Sequence, residues 1–201
     1  MKNISDTAAI FSYHRRAMGI HGKESNRALG WREPDSQLIR FKELVDLADL
    51  NNCTVLDAGC GHGDLSIYLQ RIYPAMKYVG IEQIPELLEV AVERFKGRDN
   101  VIFQRADFMR NELPPADYVI ACGSLNYYNH DREFIFKAIK KLFDNSKYGL
   151  AFNLLSRVMG LGLLVAYNPQ RIFNYCKTLS PKVVLKDDYS DEDFTIYMYK
   201  G

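Results

Sequence analysis

The sequence predicts an α/β protein with a doubly wound, mostly parallel seven-stranded sheet that ends in an antiparallel hairpin. Three observations predict it. From residue 54 onward, short apolar runs alternate with segments of helical periodicity, the pattern of strands joined by crossover helices. A glycine-rich turn, VLDAGCGHG (55–63), begins in the first of these runs. The last two runs, KVVLKDDY and DFTIYMYK, are joined by a linker too short for a crossover, so they must pair antiparallel. The 201 residues read as one domain, 1–201. Within it, 1–34 is a polar N-terminal segment expected to cover a pocket, 35–201 is the core, and an insertion lies near 156–167.

The elements follow in order. DSQLIRFKELVDLADL (35–50) places Leu38, Phe41, Leu44, Val45 and Leu47 at helical spacing, and Asp35 or Ser36 can cap its start. TVLDAG is a strand and GDLSIYLQRIY a helix; YVGIE is a strand, and PELLEVAVERFKG a helix opened by Pro85. VIFQRAD and ADYVIACGS are strands, DREFIFKAIKKLFDN a helix, and YGLAFNLL a fifth strand. NPQRIFNYCKTL (168–179) is a helix, and the terminal pair completes the sheet.

Composition removes several function classes. The chain is 47% hydrophobic, too apolar for disorder, and its net charge of +1 gives no whole-chain attraction to nucleic acid or membranes. The charge is uneven: Arg15, Arg16, Lys23, Arg27 and Arg32 cluster near the start, and DDYSDED lies near the end. Both read as solvated surfaces. Cys53, Cys60, Cys122 and Cys176 form no CxxC pair, so neither a zinc ribbon nor a thiol redox motif is expected, and no metal site. The start, MKNISDTAAIF, lacks a signal-peptide core, and the most apolar run, VMGLGLLVAY (158–167), is half a membrane span. A cytoplasmic protein without membrane contact is expected; the oligomeric state is not legible.

In an open parallel sheet, ligands bind outside the carboxyl ends of the strands where the strand order reverses. The glycine turn after the first strand lets a ligand approach the backbone. A dinucleotide fingerprint, GxGxxG, needs glycine at residue 64, where the chain has Asp64, and a carboxylate there repels a pyrophosphate. The spacing is instead GxGxG (Gly59, Gly61, Gly63), with Asp57 before it and Asp64 after it. Such a site suits a ligand that is positive near the turn and lacks phosphate, and S-adenosyl-L-methionine fits. Glu82, ending YVGIE, can accept from two ribose hydroxyls, and Asp107, in RADF, from an adenine amino group, with Phe108 or Ile84 against the ring.

These stretches together resemble the class I S-adenosylmethionine-dependent methyltransferases. VLDAGCGHG looks like the family's first motif, VGIEQ its ribose-binding acid, RADF its adenine-binding acid, and ADYVIACGSLNYY its fourth motif. The resemblance spans roughly residues 36–200. It implies a Rossmann-like fold, S-adenosyl-L-methionine as cofactor, and cofactor contacts at Asp57, Gly59, Gly61, Gly63, Glu82, Gln83, Asp107, Phe108 and Cys122.

Methyl transfer needs alignment first, and a base only if the acceptor must lose a proton. The acceptor is expected near the tip of the fourth strand, CGSLNYYNHD. Candidates for chemistry are Asn126, Tyr127, His130 and, from the N-terminal segment, His14. His130 is read first as a helix cap with Asn129 and Asp131, and His62 as a backbone-dictated position at the pocket mouth. SLNYY lacks the paired prolines of many base-methylating enzymes, which counts against base flipping. The N-terminal segment (Tyr13, His14, Arg16, Trp31) and the insertion are expected to complete the pocket. The insertion reads either as a packed helix or as a lid hinged at Gly160 and Gly162. The leading expectation is a small-molecule acceptor. The alternatives are an RNA or protein methyltransferase that uses the basic N-terminal segment, or a non-catalytic cofactor-binding protein.

Overall fold

The computed structural model describes residues 4–31, 34–158 and 162–201. Its elements are α1 (Ile4–His21), a 3₁₀ turn (Asn26–Leu29), α2 (Pro34–Val45), β1 (Thr54–Ala58), α3 (Asp64–Ile72), β2 (Lys77–Glu82), α4 (Pro85–Arg94), β3 (Val101–Arg105), β4 (Ala116–Ala121), α5 (Phe134–Asn145), β5 (Ser146–Leu155), α6 (Pro169–Leu179), β6 (Lys182–Lys186) and β7 (Asp193–Tyr199). The strands form one sheet in the order β3-β2-β1-β4-β5-β7-β6. β7 runs antiparallel to both β5 and β6, and the other neighbours are parallel. The expected class and the terminal hairpin are therefore present.

The sheet is buried on both faces, and strand alternation shows it. Leu56, Val79, Val119 and Phe152 face one cluster with Ile135, Ile139 and Leu142 of α5 and Ile172 of α6. Val55, Tyr78, Ile120 and Ala151 face the other, with Phe41 and Leu44 of α2 and Leu65 and Leu69 of α3. Successive side chains point to opposite faces, so the inner strands β1, β2, β4 and β5 feed both cores, while edge strand β3 leaves Ile102 exposed. The strand order reverses beside β1, which opens a crevice between the carboxyl ends of β1 and β4.

Two local expectations change. α2 opens at Pro34 and stops at Val45, so Ser36 lies inside its first turn and not before it. Leu38 is exposed, whereas Gln37 and Arg40 are buried beside Phe41 and Leu44. α2 thus turns a partly polar face inward, towards the crevice.

The N-terminal segment forms a long helix that periodicity did not announce. Its inward positions Asp6, Ile10 and His14 repeat every four residues, but two of the three are polar. Ile10 and His14 face a cavity, and Asp6 pairs with His130, so this inward face carries no continuous hydrophobic stripe.

Candidate functional site

The glycine turn links β1 to α3 directly beneath the crevice. Gly59 has a φ of 85°, and a Cβ added there would sit 2.5 Å from the Ser124 Cβ. At Gly63, with a φ of 76°, a Cβ would meet Phe103 at 2.8 Å and Phe95 at 2.9 Å. The glycines are therefore required by left-handed backbone and by close protein packing. Gly59 and Gly61 also line the cavity described below, whereas Gly63 does not.

Two carboxylates bracket this turn. Glu82 ends β2 and is 6% exposed. Its Oε2 accepts from the Gly61 N–H at 3.1 Å, and its Oε1 from the Ile84 N–H at 2.8 Å. Each oxygen keeps a further lone pair. Burial pushes the Glu82 pKa up, against the opposing effect of the backbone N–H groups of Ile84, Gly61 and Gln83. Asp57 on β1 is 2% exposed; its Oδ2 accepts from the Tyr78 hydroxyl, and its Oδ1 has no partner. Burial raises the Asp57 pKa to about 7. A buried carboxylate oxygen without a donor is costly and calls for a cationic or hydrogen-bonding ligand.

Asp57, Gly59, Gly61, Glu82, Gln83, Phe108 and Cys122 line one cavity, together with Ile84, Leu87 and Ala106. Gly63 and Asp107 are not among its lining residues. Asp107 is engaged locally: its Oδ1 accepts from the Met109 N–H at 2.8 Å, and its Oδ2 lies 3.4 Å from Arg110 Nε. Asp107 therefore braces its own turn, and each of its oxygens, like those of Glu82, keeps a further lone pair. Asp64 lines the cavity but pairs with Arg94 at 2.6 Å, which neutralises the charge invoked against a pyrophosphate. His62 is fully buried, and its ring nitrogens meet no side-chain hydrogen-bond partner among the described residues. It does not line this cavity, and burial lowers its pKa to about 4.

The N-terminal segment roofs the crevice. Ile10, His14, Leu29 and Trp31 line the same cavity from above. His14 is 3% exposed; its Nδ1 lies 2.7 Å from the Ala28 carbonyl oxygen and its Nε2 lies 2.7 Å from the Tyr127 hydroxyl. A carbonyl only accepts, so Nδ1 carries the hydrogen and Nε2 of the neutral ring accepts from Tyr127. Burial lowers the His14 pKa, which keeps that ring neutral.

Beyond Tyr127 lies a second cavity of about 310 Å³. It shares Leu29, Trp31, Gly123 and Tyr127 with the first. Tyr13, Asn126, Leu155, Arg157, Val158 and Leu164 form most of its remaining wall. Asn126 is a structural brace here: its Oδ1 accepts from the Leu155 N–H at 2.8 Å, and its carbonyl accepts from Val165 at 2.8 Å. The described part of the insertion is extended and not helical. Leu164 bridges to Tyr127, and Tyr128 donates to the Leu163 carbonyl at 2.7 Å. Gly160 and Leu161 lie outside the described residues.

His130 does not cap α5. Its Nδ1 pairs with Asp6 of α1, and its N–H donates to Asp6 Oδ2 at 3.2 Å. Asn129 and Asp131 instead make short turns of their own, accepting from Asp131 and Glu133.

Sequence reasoning missed a polar chain under the second cavity. Arg40 lies 4.8 Å above the Trp31 ring and pairs with Asp193 through both carboxylate oxygens. Asn153 Nδ2 reaches Asp193 at 3.5 Å, and its Oδ1 accepts from the Gly123 N–H at 2.9 Å. Asp193 sits in the acidic run read as solvated, and it is 4% exposed. No spacing signal joins residues 153 positions apart.

Comparison with known proteins bears on this geometry. A family model described as a methyltransferase domain matches residues 55–145, which span the glycine turn, Glu82 and the Tyr127 loop. The chain is 32% identical over 158 residues to Rv1506c of Mycobacterium tuberculosis, which carries a provisional methyltransferase name; the match covers 74% of this chain and 93% of that one. It is 37% identical over 82 residues to a magnesium-protoporphyrin O-methyltransferase of Rhodobacter capsulatus, covering 40% of this chain and 36% of that one. Among solved structures, magnesium protoporphyrin IX methyltransferase of Synechocystis PCC 6803 with bound S-adenosylhomocysteine superposes with a TM-score of 0.68 at 17% identity, covering 95% and 94% of the two chains. Among the described residues no helix is long and apolar enough to cross a membrane. With the family model on the motif-bearing segment and a full-length relative above 30% identity, this chain belongs to the class I S-adenosylmethionine-dependent methyltransferase family.

Proposed function

We propose that the protein methylates an oxygen of a small-molecule acceptor, with Tyr127 and His14 removing the acceptor's proton. The observation that carries this reading is the orientation of His14. Its Nδ1 is committed to the Ala28 carbonyl, so its basic Nε2 points at the Tyr127 hydroxyl between the two cavities. S-adenosylmethionine, when bound, supplies a sulfonium-activated methyl group open to in-line displacement.

The chain's own residues divide the remaining work. Glu82 holds the ribose hydroxyls through its spare lone pairs while its other contacts fix the glycine turn. Asp57 Oδ1 receives the ammonium end. Ile84, Leu87, Ala106 and Phe108 enclose the adenine. An acceptor hydroxyl placed against Tyr127 passes its proton to the Tyr127 oxygen as Tyr127 passes its own to His14 Nε2; one proton leaves the acceptor and one arrives on His14. Burial holds the Tyr127 pKa well above the ordinary range, so a free tyrosinate is avoided and the transfer is concerted. Alignment of the two cavities supplies the larger share, about 7–11 kcal/mol for well-placed pairs, and the proton relay about 10²–10⁴ in rate.

The four free thiols and the small size of the acceptor cavity support a cytoplasmic enzyme acting on a metabolite rather than on a macromolecule. The test is S-adenosylhomocysteine formation across a panel of small hydroxyl, carboxyl and amine compounds. Turnover is expected with an oxygen acceptor. Tyr127→Phe and His14→Asn should then lower kcat about 10²–10⁴-fold with S-adenosylhomocysteine affinity unchanged. Activity should fall as pH drops through the His14 pKa, below 6.5, because imidazolium has no lone pair to accept the proton. Turnover confined to amines, with both variants fully active, would refute the relay.

A further inference from the structure

We propose that the acceptor is an anion: a small aromatic or otherwise flat apolar molecule whose carboxylate or phosphate group is held by unpaired arginines at the mouth of the second cavity. The proposal rests on the reading of that cavity as the acceptor site and names the chemistry it selects.

The cavity opens outward into a groove that shares Tyr13, Gly30 and Trp31 with it. Arg16 of α1 and Arg27 of the 3₁₀ turn line this groove, and Arg157 lines the cavity itself. All three side chains are exposed, and none makes an ion pair among the described residues. This contrasts with the other arginines nearby. Arg15 is paired with Glu86, Arg40 with Asp193 and Arg94 with Asp64. Glu192 is the single carboxylate among the described lining residues of cavity and groove. Three free guanidinium groups against one carboxylate leave the entrance positive.

The inner wall has a different character. Tyr13, Trp31 and Tyr127 present rings, and Leu155, Val158 and Leu164 present aliphatic surface. Such a wall takes a flat apolar body and offers it little hydrogen bonding. A guanidinium fork binds carboxylate or phosphate through two parallel hydrogen bonds, which fixes orientation as well as charge. An acceptor anchored by its oxyanion at the mouth, with its body along Trp31, presents its far end to Tyr127. Cofactor and acceptor charges also separate sensibly: the cofactor's ammonium end lies at Asp57, and the acceptor's anion lies at the opposite, outer end.

The test uses three probes with one aromatic body: 2-naphthoate, 2-naphthyl phosphate and the neutral 2-naphthamide. Each is titrated by calorimetry into the full chain saturated with S-adenosylhomocysteine. At least one anion should bind tenfold or more tightly than the amide, and the stronger of the two identifies carboxylate or phosphate as the group selected. Arg157→Gln and the double variant Arg16→Gln/Arg27→Gln should each remove most of that preference while S-adenosylhomocysteine affinity stays unchanged. Equal binding of amide and anions, no binding of any probe, or a preference untouched by the arginine variants would overturn the proposal. Binding of a single-stranded oligonucleotide through Arg16 and Arg27, without binding of the naphthyl anions, would make the groove a nucleic-acid contact and also overturn it. Leu164→Trp fills the cavity and leaves the arginines in place. It should abolish binding of all three probes; anion binding that persists there would fail the reading of the cavity as the acceptor site while leaving cofactor binding intact.

Discussion

The floor and the roof of this site are held in different ways. The floor is the ends of β1, β2 and β4, where Asp57, Glu82 and the glycine turn are locked by backbone hydrogen bonds inside a sheet with both faces buried. The roof is α1 and the 3₁₀ turn, attached in large part by side-chain pairs, among them His14 with Tyr127, Asp6 with His130, and Arg15 with Glu86. The described part of the insertion is instead tied to Asn126, Tyr128 and Leu155 by backbone hydrogen bonds. The floor cannot move without unfolding the sheet. The roof can be released by breaking a few polar contacts, several of them exposed and individually worth about 1 kcal/mol or less. A binding site that must admit a cofactor and then exclude water needs that asymmetry.

The largest predicted effect lies in the floor. Glu82→Ala removes two charge-assisted hydrogen bonds to backbone, worth about 1.5–3 kcal/mol each, as well as the contacts proposed for the ribose. S-adenosylhomocysteine binding should be lost in calorimetry, and the melting temperature should drop because Gly61 and Ile84 lose their acceptor. Wild-type affinity in this variant would mean that the floor is assigned to the wrong ligand.

Next comes the hidden link between α2 and β7. Arg40→Met strands the Asp193 carboxylate in the interior, which costs about 3–5 kcal/mol. Urea unfolding should show that loss, with cofactor affinity nearly preserved, since Arg40 lines only the second cavity. An unchanged midpoint would show that Asp193 finds water or another donor.

The smallest effect belongs to the roof. His130→Ala removes one partner of Asp6, but Asp6 Oδ2 keeps the backbone N–H of residue 130 and the vacated ring position, 65% exposed, admits water to Oδ1, so global stability should shift by less than about 1 kcal/mol. Hydrogen exchange in α1 should nevertheless quicken while β1 and β2 stay protected. Equal slowing or quickening in both regions would erase the distinction between floor and roof.

The same division decides what the sequence reveals. The floor is legible because its chemistry is local: a strand, a turn that only glycine satisfies, and an acid at the next strand tip recur within thirty residues. Asp107 shows that such an acid also serves its own turn, since its Oδ1 accepts from the Met109 N–H. The roof is poorly legible. α1 turns Asp6 and His14 inward, which breaks the apolar stripe that betrays a helix. His130 pairs across 124 positions with Asp6, and Arg40 across 153 with Asp193, distances at which single-sequence spacing carries no information. These buried polar groups satisfy one another across the fold, and burial of polar groups is the feature hydrophobic patterning is blind to.

The central claim is that the buried Asp57 beside the glycine turn receives the cationic end of S-adenosylmethionine. Its pKa of about 7 in the free protein gives the claim a proton signature. A neighbouring ammonium favours the carboxylate and lowers that pKa, so binding near pH 6.5 must release a proton, and affinity must rise with pH until it levels above about 7. The decisive measurement is calorimetry of S-adenosylhomocysteine binding at pH 6.5 in buffers of different ionisation enthalpy, on the wild type and on Asp57→Asn. The wild type should bind one-to-one and release up to about 0.8 proton per site, the fraction protonated at this pH, and the variant should bind more weakly with no proton release from this position. Proton release that is absent from the wild type, or that persists undiminished in Asp57→Asn, would contradict it.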